Sequence, residues 1–302
     1  MKVLVTGAGG NLGRVLIPAL RDADHEVRAA DARPLDLETD FVVTDVRDRG
    51  AVARAVTGVE AIVHGAALHG IHVDNHEPEE FWDTNVTGTF NVLEAARRAG
   101  VRKLVLCSTM AVYGAESDDR GWAVVDEDSP TKPKDVYGLS KLLCEDMARY
   151  YTRLHGITAW ALRLGMFVPE TFERYGFRLL FGGIDDRDVA QAVVLALRTA
   201  PPGGFETVNV MADTPLTDDD ASAIAHDPTS VLERHWPGTV ALTAERAVNL
   251  DDLVWGWAIW RVEKAKRVLG YAPAHGFGEF VAAWRSGDSE YYPFAGLKQW
   301  GI

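Results

Sequence analysis

Short apolar runs rich in β-branched residues recur along the first two-thirds of the chain: Lys2–Thr6, Glu26–Asp31, Phe41–Thr44, Ala61–His64, Lys103–Ser108 and Thr158–Arg163. Between them lie amphipathic stretches with helical spacing, Asn11–Arg21, Arg49–Val56, Pro78–Ala99 and Val136–His155. Apolar strands without polar alternation, joined by helices, predict a parallel sheet covered on both faces. The fold class is therefore α/β, a doubly wound parallel sheet whose ligand crevice lies at the carboxyl ends of its strands.

Beyond Arg163 the pattern loosens. A helix over Asp185–Arg198 and a strand over Thr207–Met211 return to the sheet, and Thr217–Ala225 and Leu250–Leu269 read as further helices. The expected division is a dinucleotide-binding domain over 1–164, rejoined by 185–212, with a small mixed substrate-binding lobe from 165–184 and 213–302. Tyr291–Ile302 reads as an aromatic tail packed on the body or on a neighbouring subunit.

The chain has 302 residues, enough for a substantial core without metal or disulfide. Its formal net charge of −13 argues against nucleic acid or an anionic membrane and for a small-molecule substrate. Two cysteines, Cys107 and Cys144, make a disulfide framework improbable and a reducing, cytoplasmic setting the expectation. The opening MKVLVTGAGG reaches glycine too soon for a signal peptide, and no apolar run approaches the ~18 residues that span a bilayer.

Gly7-Ala8-Gly9-Gly10-Asn11-Leu12-Gly13 directly follows the first strand and opens the first helix. Gly7 permits the tight turn, Gly10 lets backbone approach a pyrophosphate, and Gly13 lets helix and sheet lie close, the dinucleotide arrangement of the Rossmann fold. Asp31, ending the second strand, suits an adenosine ribose and repels a 2′-phosphate, which makes NAD the expected cofactor, with Arg33 softening the preference. Asp45-Val46, after the third strand, either meets the adenine or forms a plain loop.

Tyr137 and Lys141 are at i and i+4, neighbours on one helical face. A phenol is a poor base at neutral pH, and a nearby cation is expected to lower its pKa. Tyr137 then exchanges a proton with a carbinol while hydride moves to or from the nicotinamide.

Together the glycine fingerprint, Asp31, His64-Gly65-Ala66-Ala67, Asn85 in "TNVTGTFNVLEAA", Ser108-Thr109-Met110-Ala111-Val112-Tyr113-Gly114 and Tyr137-xxx-Lys141 resemble the extended short-chain dehydrogenase/reductases, the NAD-dependent epimerase/dehydratases. The resemblance covers about 200 residues in order. It implies bound NAD with Ala66 and Ala67 beside it, a Thr109–Tyr137–Lys141 triad with Ser108 as the alternative hydroxyl, and Asn85 supporting the active-site helix. It also implies sugar or sugar-nucleotide substrates and a homodimer through Pro78–Ala99 and Val136–His155. The related dehydratases carry Asp-Glu where Met110-Ala111 stand, so dehydration is disfavoured. Oxidation or reduction of a sugar hydroxyl or hemiacetal carbon is the leading expectation, a nucleotide-sugar 4-epimerase the second, and a non-catalytic NAD(H)-sensing regulator the third.

Only about a dozen residues separate Pro169 from the Gly182-Gly183 helix start, a short lid suited to an unanchored substrate. Arg163-Leu164-Gly165-Met166-Phe167-Val168-Pro169-Glu170, Arg178-Leu179-Leu180 and "DDRDVAQAV" are similar to uronate dehydrogenases, in which an arginine of this segment binds the sugar carboxylate. Arg178 matches it, with Arg174 the rival, and His69 occupies a substrate-contacting position. This chain departs from that group at Met110-Ala111, where uronate dehydrogenases carry Asn-His, and at Met166, where they carry serine, so it lacks those polar substrate contacts. The histidines at 64, 69, 72 and 76 read as loop and substrate contacts, with no metal expected. Trp255, Trp257 and Trp260 read as core or subunit packing, with sugar stacking the alternative.

Overall fold

A computed structural model describes residues 1–35, 39–114, 122–250 and 258–297. Seven strands form one sheet: β1 (Lys2–Thr6), β2 (Glu26–Asp31), β3 (Asp40–Val43), β4 (Ala61–His64), β5 (Lys103–Thr109), β7 (Thr158–Leu164) and β8 (Phe205–Val210). Their spatial order is β3-β2-β1-β4-β5-β7-β8 and every pairing is parallel. The chain winds outward from β1 in both directions, so the strand order reverses between β1 and β4 and opens a crevice there.

Buried helix faces explain the two-sided cover. Leu12, Leu16, Ile17 and Leu20 of α1 (Asn11–Asp22) meet the same core as Val189, Val193 and Leu197 of α7 (Asp186–Arg198). On the other face α2 (Arg49–Val56), α4 (Gly88–Ala99) and α5 (Val136–His155) contribute Val52, Val92, Leu93, Cys144 and Ala148. Both cysteines are buried and free.

The predicted helix over Pro78–Ala99 forms, its backbone helical through both junctions, with a widened turn inside it. It consists of α3 (Pro78–Phe81), a π-helical turn over Trp82–Thr87, and α4. The wider turn carries Asn85 at its buried face, a detail hydrophobic spacing does not encode.

The second lobe differs more from expectation. Ala258–Trp260, predicted helical within Leu250–Leu269, is strand β9, paired in parallel with β6 (Ala123–Val125). Its three residues are all buried, so their apolar run suits either element and the partner strand decides. Residues 251–257, with Trp255 and Trp257, lie outside the described residues, and Ala265–Leu269 is a short π-helical turn. Helices α6 (Phe172–Arg178), α8 (Asp218–His226), α9 (Pro228–His235), α10 (Thr239–Glu245) and α11 (Phe277–Ser286) complete the lobe. Of the tail, Tyr292 is buried and stacks on Tyr175, ring centroids 3.7 Å apart, so this part packs on the body. No described helix is long and apolar enough to cross a membrane.

Candidate active site

The crevice is a cavity of about 930 Å³ that runs from the end of β2, past the β1–α1 turn, to the N-terminus of α5. Gly7 has φ +72°, and a Cβ there would stand 2.7 Å from the Ala66 nitrogen, so no other residue fits without moving the backbone. At Gly13 a Cβ would meet the Ala8 carbonyl oxygen at 1.9 Å, so α1 can lie this close to β1 only with glycine. Gly10, the N-cap of α1, supplies no side-chain cap, leaving amides of the first turn open toward the cavity, as a phosphate requires. Asn11 and Leu12 also line it, and the Asn11 side-chain oxygen accepts from Arg14 at 2.8 Å.

Asp31 borders the far end and is nearly buried. Its carboxylate accepts from the Gly9 amide at 2.9 Å and the Arg33 amide at 3.0 Å, tying the glycine turn to β2. Asp45 and Val46 line the same end, Asp45 with its carboxylate paired to Arg47 at 2.6 Å and its pKa held down mainly by that hydrogen bond. Ala66 and Ala67 form the floor between the two ends. These features fit a dinucleotide along the whole crevice.

At the other end the side chains of β5 diverge. Ser108 donates to Glu145 at 2.6 Å, so its hydroxyl is engaged in a buried network even though the residue borders the cavity. Thr109 caps the turn at Met110–Val112, accepting from the Ala111 amide at 3.2 Å, and its hydroxyl stands beside the Tyr137 phenol, whose pKa it lowers. Of the two candidate hydroxyls, Thr109 is therefore the one presented to Tyr137.

Tyr137 sits in the first turn of α5, whose N-cap Asp135 accepts from the Gly138 amide at 2.7 Å. Burial pushes its phenol up to about 12, opposed by the Thr109 hydrogen bond. The Lys141 ammonium donates to the Cys107 carbonyl at 2.9 Å, and burial lowers its pKa. Burial thus outweighs the polar neighbours of the phenol in this arrangement.

Asn85 does not line the cavity. Its amide nitrogen donates to the Leu68 carbonyl at 3.0 Å and the Ser140 hydroxyl at 2.8 Å, and its oxygen accepts from the Leu68 amide at 2.8 Å. It thus clamps the loop after β4 to α5, a positioning role. In that loop His69 opens to the cavity with its ring 6.0 Å from Tyr137. Surrounding protein and the Lys141 charge lower its pKa, tempered by its solvent contact. His64 is a core residue between Thr6 at 2.8 Å and Thr89 at 3.0 Å, held neutral by burial. No group of three or more His, Cys, Asp or Glu side chains is placed to hold a metal among the described residues.

Met110 and Met166 line the cavity together with Phe181 and Trp260. Arg178 also reaches it, but its Nε donates to Glu170 at 2.6 Å, and its terminal nitrogens donate to the Met166 carbonyl and, at 3.3 Å, to that of Val168. Arg174 is exposed on α6 and does not border the cavity. Glu145 was not singled out from sequence, and Glu170 only as the last residue of the stretch that begins at Arg163. Glu145 follows Lys141 by four residues, a spacing that continues the Tyr137–Lys141 face.

Residues 3–174 match the NAD dependent epimerase/dehydratase family. The chain belongs to that family. It is an NAD-dependent enzyme of the extended short-chain dehydrogenase/reductase type, a dehydrogenase or an epimerase. Uronate dehydrogenase of Pseudomonas syringae pv. tomato is 34% identical over 216 residues, 70% of this chain and 74% of that protein. L-arabinose 1-dehydrogenase (NAD(P)(+)) of Haloferax volcanii is 35% identical over 177 residues, 54% of this chain and 66% of that protein. Among solved structures, a short-chain dehydrogenase/reductase superfamily protein from Agrobacterium tumefaciens with bound NAD superposes with TM-score 0.71 at 23% identity, covering 96% of this chain and 98% of that one. That last likeness shows the fold.

Proposed function

We propose that the protein is an NAD-dependent dehydrogenase of a sugar hydroxyl or hemiacetal carbon, working through Thr109, Tyr137 and Lys141. The observation that carries this reading is the convergence of the three side chains on the cavity that begins at the glycine turn. NAD, when bound, accepts the hydride from the carbinol carbon. Thr109 orients the substrate oxygen, Tyr137 takes its proton, and Lys141 holds positive charge beside the developing phenolate. For a lactol the C–H and O–H bonds break and a lactone C=O forms, giving NADH and one proton.

Oxidation is favoured over epimerisation by the lid. One seven-residue helix, α6, lies between Pro169 and the start of α7, leaving little chain to grip a nucleotide. The direct test follows absorbance at 340 nm with NAD and a panel of aldoses, uronates and nucleotide sugars, with product analysis. NADH is the expected result; an isomerised sugar without NADH would establish the epimerase instead, and NAD binding without turnover would favour the regulator.

A homodimer belongs to the same proposal. Trp82 and Phe90 beside α5, with Tyr150 and Leu154 on it, form an apolar face; Trp82 is 50% exposed and Leu154 53%. Large apolar patches of this kind are usually covered. Sedimentation at micromolar concentration should return twice the 33.1 kDa chain mass, and a monomer would refute the assembly.

A further inference from the structure

We infer that Trp260 binds the sugar, its indole N–H donating to one hydroxyl of the substrate and so selecting among sugars. This deepens the dehydrogenase reading and rests on it. Successive side chains of β9 alternate: Ile259 enters the apolar cluster of Leu216, Ala221 and Ile224, while Ala258 and Trp260 both border the cavity. The Trp260 ring packs against buried Tyr113, centroids 5.7 Å apart, and only 8% of the residue is exposed. Its N–H nevertheless meets no acceptor among the described residues. A buried indole N–H usually finds a partner, so an unpaired one on a cavity wall points to a ligand that supplies the acceptor.

The neighbours of the indole link it to the reacting groups. A Cβ at Gly182 would stand 2.6 Å from the indole nitrogen and 2.8 Å from the terminal methyl of Met110, so Trp260 and Met110 flank one gap that glycine, at φ +90°, leaves open. Met110 directly follows Thr109, whose hydroxyl stands beside Tyr137. β9 belongs to the second lobe and not to the sheet that carries the glycine turn, so this donor comes from outside the dinucleotide-binding part. A sugar whose reacting carbon sits at Thr109 and Tyr137 carries hydroxyls on the neighbouring carbons, within the span of such a donor. Indole N–H donates only, so it pairs with a hydroxyl oxygen and is left unpaired by a deoxy carbon, which is how a polar group in a built pocket discriminates.

The experiment measures kcat and both KM values in the wild-type enzyme and in Trp260→Phe, which keeps a ring against Tyr113 and removes the N–H. The sugars are galactose, glucose and arabinose, and then the monodeoxy analogues of whichever is turned over. Trp260→Phe should raise the KM for the sugar by about tenfold, the upper size for one neutral hydrogen bond, with a smaller change in kcat and in the KM for NAD. One monodeoxy analogue should cost the wild type about tenfold in kcat/KM and the variant less than about twofold, a coupling that a packing role alone does not produce. Equal penalties in both enzymes for every analogue would overturn the inference and leave the dehydrogenase intact. So would a KM that rises for NAD and not for the sugar, since that places the indole on the cofactor. Trp260→Leu, apolar like its neighbours Val125 and Val262, serves the same comparison where the phenylalanine variant does not fold. NADH from none of the sugars would overturn the proposed function and this inference with it.

Discussion

Replacing Tyr137 with phenylalanine is expected to lower kcat by about 10³-fold while leaving the KM for NAD within about threefold, the size typical of losing a positioned general acid or base. The substitution removes one oxygen from a buried ring and leaves the cavity otherwise unaltered. Because the phenol is raised to about 12, the base form is scarce at neutral pH. Oxidation by the wild type should therefore accelerate as pH rises, and the reverse reduction, which needs the protonated phenol, should slow. Lys141→Met removes the charge that favours phenolate during turnover, so its oxidation profile should move to higher pH. Steady-state rates across pH for both variants check this; Tyr137→Phe turning over within tenfold of wild type would remove Tyr137 from the mechanism.

Glu145→Leu is expected to cost about 3–5 kcal/mol of stability, the usual range for stranding one charge of a buried pair. Glu145 is fully buried and accepts from Ser108 at 2.6 Å and from Arg163 at 2.8 and 3.0 Å. Arg163 in turn donates to the Tyr113 hydroxyl at 2.8 Å, and Tyr113 donates to Asn209 at 2.7 Å. One carboxylate thereby links α5 to three neighbouring strands and to the turn after Thr109. Its loss should lower Tm by on the order of 10 °C, measured by calorimetry. Adding Arg163→Met should restore much of the loss, since it removes the stranded charge. A single variant that melts with the wild type would show that the network contributes nothing net.

The two predictions differ in how legible their residues are. Tyr137 and Lys141 stand out because a helix repeats every 3.6 residues, so spacing alone places them on one face. Glu145 continues that face, but its partners lie 18 and 37 positions away in sequence, on different strands. No local pattern announces such a pair.

From sequence alone follow the parallel sheet, the glycine turn, the acidic end of β2, and the Tyr137–Lys141 face, because each is local and repeats or terminates an element. Tertiary structure decided the rest. Strand direction at the end of β5 turned Ser108 toward Glu145 and Thr109 toward Tyr137. A wide helical turn aimed Asn85 at Leu68 and Ser140. Pairing with Ala123–Val125 made Ala258–Trp260 a strand. Burial, which depends on every neighbour at once, raised the Tyr137 phenol and lowered Lys141. The carboxylate of Glu170 meets Arg178 eight residues on because α6 folds back over the loop after β7, a contact no local pattern announces.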